Sequence, residues 1–241
     1  MKKFILFLLV TLLVSSSVIA QSKAKVKAKQ TDPFSLIISV GSNWSIFSNP
    51  NLGHSTLTQA KQVSGFNFGL AGNWPLTNAI SFQAGLRLTQ KGSRAYADTP
   101  YYHVYSTARP LYFQVPVGFV YTHPLSSDFK FFVGAGGYVA RGVGGKNSYS
   151  GISGTLGEES TVSGNDKILY GNPGSSYAQV QTFSNLQAFD YGVNGVVGIE
   201  YWKFRLALGY EEGLTNISYG INTPNPNSKN KSISLTLGFH F

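Results

Sequence analysis

The chain has 241 residues, of which only 12% are Asp, Glu, Lys or Arg while 14% are aromatic, with 27 glycines and no cysteine. A soluble domain carries roughly twice that share of charge, and the lack of cysteine excludes disulfides, thiolate metal centres and cysteine nucleophiles. The formal charge of +9 does not mark a nucleic-acid binder, because it falls to +3 without Lys2, Lys3, Lys23, Lys25, Lys27 and Lys29.

Residues 1–20 have the three parts of a secretory leader: Lys2 and Lys3, an apolar run from Phe4 to Val14, and Ser15 to Ser17 ahead of Val18-Ile19-Ala20. Cleavage before Gln21 is expected, leaving 21–33 as a basic periplasmic tail. Its lysines read as solvated charges, with anionic headgroups or the cell wall as the other candidate contact. Past residue 20 no stretch approaches the roughly 20 apolar residues of a membrane-spanning helix, and the mean hydropathy is -0.03.

From Phe34 onward the side chains alternate with period two, the mark of strands with one apolar and one polar face. In the first run Phe34, Leu36, Ile38 and Val40 share a face, continued by Trp44 and Ile46, and only Ile37 breaks the pattern. The second has Phe66, Phe68, Leu70 and Trp74 against Asn67, Gly69, Ala71 and Asn73. In the third, Ile80, Phe82, Ala84, Leu86 and Leu88 oppose Gln83, Gly85, Arg87 and Thr89. The fourth sets Leu111, Phe113, Val115, Val117, Phe119 and Tyr121 on one side. A less regular fifth has Phe129, Phe131, Val133 and Val139 outward and Lys130, Gly134, Gly136 and Tyr138 inward, with Phe132 expected to plug the interior.

The sixth run faces Phe189, Tyr191, Val193, Val197, Ile199 and Tyr201 outward and Asp190, Asn194 and Glu200 inward. After a tight turn at Trp202-Lys203, the seventh alternates Phe204, Leu206, Leu208 and Tyr210 with Arg205, Ala207, Gly209 and Glu211. The eighth ends the chain with Ile233, Leu235, Leu237, Phe239 and Phe241 outward and Ser234, Thr236, Gly238 and His240 inward. Short turns near 75–79, 123–128 and 202–203 alternate with long polar connections near 47–62, 92–108, 142–188 and 217–230. That asymmetry is expected of short periplasmic turns and long external loops. The third connection has room for a hairpin of its own.

In hydrocarbon every backbone polar group needs an internal partner, so lipid-exposed strands must close on themselves. The predicted fold class for 34–241 is therefore all-β: a closed antiparallel up-and-down transmembrane β-barrel of about eight strands. It would lie in the cell outer membrane, in contact with outer-membrane lipid, with both termini periplasmic. Trp44, Trp74, Tyr121, Tyr201, Trp202 and Tyr210 suit the interfacial girdles. By register the lumen holds Arg87, Lys130, Arg205, Asp190, Glu200 and Glu211, three of each sign. Glu200 and Arg205 face each other across the Trp202-Lys203 turn and are the predicted ion pair. So narrow an interior has room for little but side chains, which makes this network a plug rather than a pore.

No other chemistry emerges from the residues. His54 and His103 fall in external loops, His123 in a short turn and His240 inside the last strand, without the Ser and carboxylate of a hydrolytic set or the paired spacing of a metal site. Glu158-Glu159 reads as a solvated pair. Gly134-Ala135-Gly136-Gly137, followed by Gly142, Gly144 and Gly145, lacks the Lys-Ser ending and following helix of a phosphate loop. These glycines read as relief of crowding in a narrow cylinder. No enzymatic activity, cofactor, metal or nucleic-acid partner is expected, the aromatics lying on the lipid face.

The leader, the eight runs, the stretch Arg109-Pro-Leu-Tyr-Phe-Gln-Val-Pro-Val-Gly-Phe-Val-Tyr and the final Leu235-Thr-Leu-Gly-Phe-His-Phe resemble the outer-membrane β-barrel family of Bacteroidetes that includes PorT. The resemblance covers essentially the whole mature chain. It implies an integral barrel whose Phe239 and Phe241 serve as the signal read by the barrel-assembly machinery, and it associates PorT-like members with type IX secretion. The expected function is a non-enzymatic membrane scaffold that makes surface or protein-partner contacts through its external loops. A PorT-like secretion component, a lipid-modifying enzyme and a narrow solute channel are the alternatives.

Overall fold

The alternating runs are strands in the computed structural model, which describes residues 34–48, 57–99, 102–153, 160–171, 185–217 and 228–241. In chain order these are β1 (Ser35–Ser48), β2 (Leu57–Lys61), β3 (Val63–Pro75), β4 (Ile80–Gln90), β5 (Ser93–Thr99), β6 (Tyr102–Pro124) and β7 (Phe129–Ser153). There follow β8 (Ser160–Lys167), β9 (Leu169–Tyr170), β10 (Asn185–Leu186), β11 (Phe189–Tyr201), β12 (Phe204–Gly213) and β13 (Lys229–His240).

Eight of them form a closed ring in the order β6-β4-β3-β1-β13-β12-β11-β7, with β7 returning to β6. Every pairing in the ring is antiparallel. The ends of the chain close it: β1 and β13 run side by side with Val40 opposite Leu237. Val40 is 57% exposed and Leu237 52%, values no sandwich core would show, so the apolar faces point away from the ring. Ile37, the residue out of pattern, turns inward and is buried, as is Phe132.

Rings gather near the short turns. Phe34 packs on Trp74, Trp74 on Phe82 and Phe82 on Phe119. Farther round, Phe129 meets Tyr201, and Trp202, Phe204, Phe239 and Phe241 form a continuous chain. This is an interfacial girdle drawn from most of the ring strands. At the opposite rim Trp44 and Tyr210 share a row through Ile233. Trp202 adopts φ 54°, the left-handed conformation favoured in two-residue hairpin turns, and its N–H donates to Asp128 O at 2.7 Å.

The strands overrun the expected boundaries at the long-loop end. β6 and β7 have 23 and 25 residues and stay paired from Pro124↔Lys130 to Tyr102↔Ser153. Where β4 ends, β5 takes its place beside β6, β2 joins β5, and β8 flanks β7. The connections expected as loops at 92–108 and 142–188 are therefore partly a five-stranded sheet, β2-β5-β6-β7-β8, continuous with the barrel wall. Their sequences mix polar and small apolar residues and carry no sustained apolar face; the protruding ladders of β6 and β7 supply the template instead. An extra residue at Val143, opposite the Leu111/Tyr112 step, shifts the register there, so even-numbered residues of β7 face outward beyond it.

Candidate functional site

The lumen is filled in two layers. Near the short turns, Glu200 accepts from Lys130 Nζ at 3.1 Å and lies 3.2 Å from His240 Nε2. Both partners come from strands adjacent or nearly so: Lys130 on β7 is directly opposite Glu200, and His240 ends β13. Arg205 is opposite Glu200 on the other side, as the turn predicted. The predicted Glu200–Arg205 ion pair does not form. The Arg205 guanidinium lies 3.6 Å from the centre of the Phe132 ring, because an inward Phe132 offers a flat face and Glu200 is already held by two other groups.

The second layer, toward the long loops, is more deeply buried. Glu211 takes Arg87 Nη1 and Gln114 Nε2 on one carboxylate oxygen, the latter at 3.0 Å. Lys91 Nζ reaches its other oxygen at 3.2 Å and Asp190 Oδ2 at 3.6 Å. Asp190 also accepts from Asn230 Nδ2 at 2.8 Å and from Tyr138 Oη at 3.1 Å. The Lys91 ammonium stands 4.2 Å from the Tyr138 ring centre and 5.8 Å from that of Tyr112. This layer pairs two cations with two carboxylates, the condition for holding charge out of water. Between the layers lies a cavity of about 150 Å³ bordered by Gln83, Arg87, Asn194, Arg205 and Glu211.

A lid covers the second layer. After β8 the chain folds back so that Ile168 and Leu186 pack with Phe47, Ala95, Ala108 and Ile217. Tyr170 joins this cluster to Tyr112, its ring edge-on at 6.1 Å, and donates to Gly144 O at 2.8 Å. Burial pushes the Tyr170 phenol above its ordinary value, so it remains a donor. Gly142 makes room: a Cβ there would run into the Tyr170 ring.

Of the six predicted lumen charges, Arg87, Lys130, Glu200 and Glu211 form ion pairs, Asp190 is fully buried and Arg205 lies over the Phe132 ring. Lys91, which sequence reasoning missed, is the most buried cation of the set at 1% exposure. Carrying the inward alternation of Arg87 and Thr89 two residues farther would have found it. Phe239 and Phe241 are packed edge-to-face at 4.9 Å. Of the histidines, His103 is in a strand rather than a loop, 3.2 Å from Tyr96 Oη, and His123 is the next-to-last residue of β6, stacked on Tyr121. His54, Glu158, Glu159 and the four tail lysines lie outside the described residues. Among the described residues no three His, Asp or Glu side chains could hold a metal.

A lidded eight-strand ring with an apolar exterior and charged interior has one natural setting, and residues 19–219 match the outer membrane protein beta-barrel domain. The chain belongs to that family. The final strand lies past the matched residues and closes the ring by pairing with β1 and β12. No curated protein matches the chain. Among solved structures it is similar to Ail, the attachment invasion locus protein of Yersinia pestis, with 13% identity and a TM-score of 0.38, covering 87% of this chain and 100% of that one. Neisserial surface protein A has 13% identity and a TM-score of 0.39, covering 86% and 97%. OprG from Pseudomonas aeruginosa has 12% identity and a TM-score of 0.38, covering 86% and 95%.

Proposed function

We propose that the chain is a non-enzymatic outer-membrane scaffold whose working surface is the five-stranded sheet at the long-loop end. In this reading residues 1–20 are a removed leader, 21–33 are a periplasmic tail, both termini are periplasmic, and Phe239 and Phe241 are read by the barrel-assembly machinery. The observation that carries it is the filled and lidded lumen: Lys91, Asp190 and Glu211 bridge the interior beneath Tyr170. A solute channel is disfavoured on that ground. The wall strands, by contrast, extend past the barrel and display Tyr105, Ser148, Ser150 and Ser163 on a backbone held by cross-strand ladders. A non-enzymatic reading is supported by the contacts of the described histidines: His103 lies beside a tyrosine hydroxyl, His123 stacks on a tyrosine ring and His240 faces a lumen carboxylate.

The test has two arms. In planar bilayers the purified protein should conduct nothing above background; steady conductance would return the channel reading. The chain has no native cysteine, so Ser148→Cys gives a single site that a membrane-impermeant maleimide should label on intact cells. Lack of labelling there, with labelling in lysed cells, would reverse the orientation.

A PorT-like role in type IX secretion is the second reading, favoured by the stretch that begins at Arg109. Its Tyr112 is fully buried beneath the lid, and its Pro116, lacking an N–H, falls where the ladder to β4 is interrupted between Ala84↔Val117 and Arg87↔Gln114. If a strain lacking this chain exports type IX cargo normally, that role is removed.

A further inference from the structure

Like charges directly opposed across a ladder destabilise a sheet, yet the outward face of the extension carries such a row. Arg109 of β6 stands opposite Lys146 of β7, and Lys146 opposite Lys167 of β8. All three are exposed. With strands about 4.8 Å apart, their heads share a strip roughly 10 Å wide. Among the described residues none of them forms an ion pair. Asp166, next to Lys167, belongs to the other face, opposite buried Asn147. Along the ladder, the backbone of Asp98, opposite His103, is three rows farther out and roughly 20 Å away.

Two more cations flank the row. Arg94 comes one row outward, where its Nε donates to Thr107 Oγ1 at 3.1 Å. Arg141 lies on the barrel side, its guanidinium 5.8 Å from the centre of the Phe189 ring.

The height of the row is what gives it meaning. On β6 the residues that follow Arg109 on the same face are Leu111, Phe113, Val115 and Val117, the start of the apolar wall. Exposed Val143 and Leu169 play the same part below Lys146 and Lys167. On the other side come Thr107, Ser148 and Asn165. The three cations therefore mark the line where the lipid-facing surface stops, the depth of headgroup phosphates. A face built for water alone would intersperse acids to relieve the repulsion; phosphate oxygens at this depth relieve it instead.

We propose that Arg109, Lys146 and Lys167 form a seat for the phosphate groups of an anionic lipid in the leaflet at the long-loop end. Arg109 offers a planar fork to two oxygens, and the lysines act as compact point charges beside it. Assigning that leaflet to the cell exterior rests on the orientation proposed above; the seat itself does not.

The experiment uses the full mature chain in neutral detergent, titrated with lipid A, a bisphosphorylated glycolipid, and read by native mass spectrometry. The wild type should retain lipid A, and the R109Q/K146Q/K167Q variant should bind about a hundredfold more weakly, roughly fivefold per cation at an anionic surface. Dephosphorylated lipid A should bind the wild type no better than intact lipid A binds the variant. Heat-modifiable migration shows that both proteins are folded. With the repulsion removed, the variant should also resist urea better than wild type in neutral detergent, and this order should reverse when lipid A is present. Unchanged binding by the variant, equal retention of the dephosphorylated lipid, or no reversal in urea would overturn the seat. Inositol hexakisphosphate bound as tightly as lipid A would overturn it in favour of a soluble polyanion. Periplasmic labelling of Ser148→Cys alongside intact lipid A binding would refute the orientation and leave the seat standing.

Discussion

Lys91 and Lys130 are both lumen lysines that face carboxylates, and they should behave very differently when replaced. Lys91 is buried on every side between Asp190 and Glu211, so Lys91→Met leaves two desolvated carboxylates with one cation fewer. The expected loss is about 3 kcal/mol or more. The Lys130 side chain is 42% exposed where it meets Glu200, and Lys130→Met should cost less than about 1 kcal/mol. Urea titration followed by the gel shift of the folded barrel separates the two, and equal losses would contradict the layered account of the lumen. Coupling Lys91→Met to Asp190→Asn should recover part of the first loss, since one buried negative charge goes with the positive one.

At the scale of the element, each ring strand divides its side chains between two solvents. Leu208 sits mid-strand on the outer face of β12. Leu208→Arg should destabilise the inserted barrel by about 2–4 kcal/mol, the penalty for a guanidinium near the bilayer midplane. The exposed Ser163 of β8 belongs to the extension, and Ser163→Arg should stay within about 0.5 kcal/mol of wild type. Refolding into vesicles at graded urea measures both. One of the contacts that hold the lid can be tested by itself: Gly142→Leu would displace the Tyr170 ring from the mouth. Proteolysis near 168–171 should then accelerate while heat-modifiable migration persists, and unchanged proteolysis would mean that Tyr170 is not held there.

At the scale of the whole molecule, stability is conditional on closure. The first and last strands pair with each other over twelve residue pairs, so no edge is left to lipid. A chain ending before Lys229 would expose the edges of β1 and β12 and should give no heat-modifiable band in detergent or vesicles; a folded band from that truncation would refute the closed ring. Joining the two ends of the chain also makes the contact order high, and slow folding into vesicles is the expected accompaniment.

The alternating runs alone determined the strands of the barrel wall, the outward face of each and the six lumen charges, because the pleat has a period of two and hydrocarbon tolerates no exception on the lipid side. Ile37 and Phe132 broke the alternation in sequence and sit where an inward apolar residue is useful, so even the exceptions were legible. What the residues of one strand cannot specify is which neighbour a charged side chain reaches. Glu200 had Arg205 on one flank and Lys130 on the other, and only the assembled ring brought His240 to it and set Phe132 beneath Arg205. The protruding sheet and its cation row were hidden for a related reason. With polar and small apolar residues mixed along them, those segments carry no sustained apolar face, and their pairing comes from the hydrogen-bonding edges that β6 and β7 present once the barrel has formed.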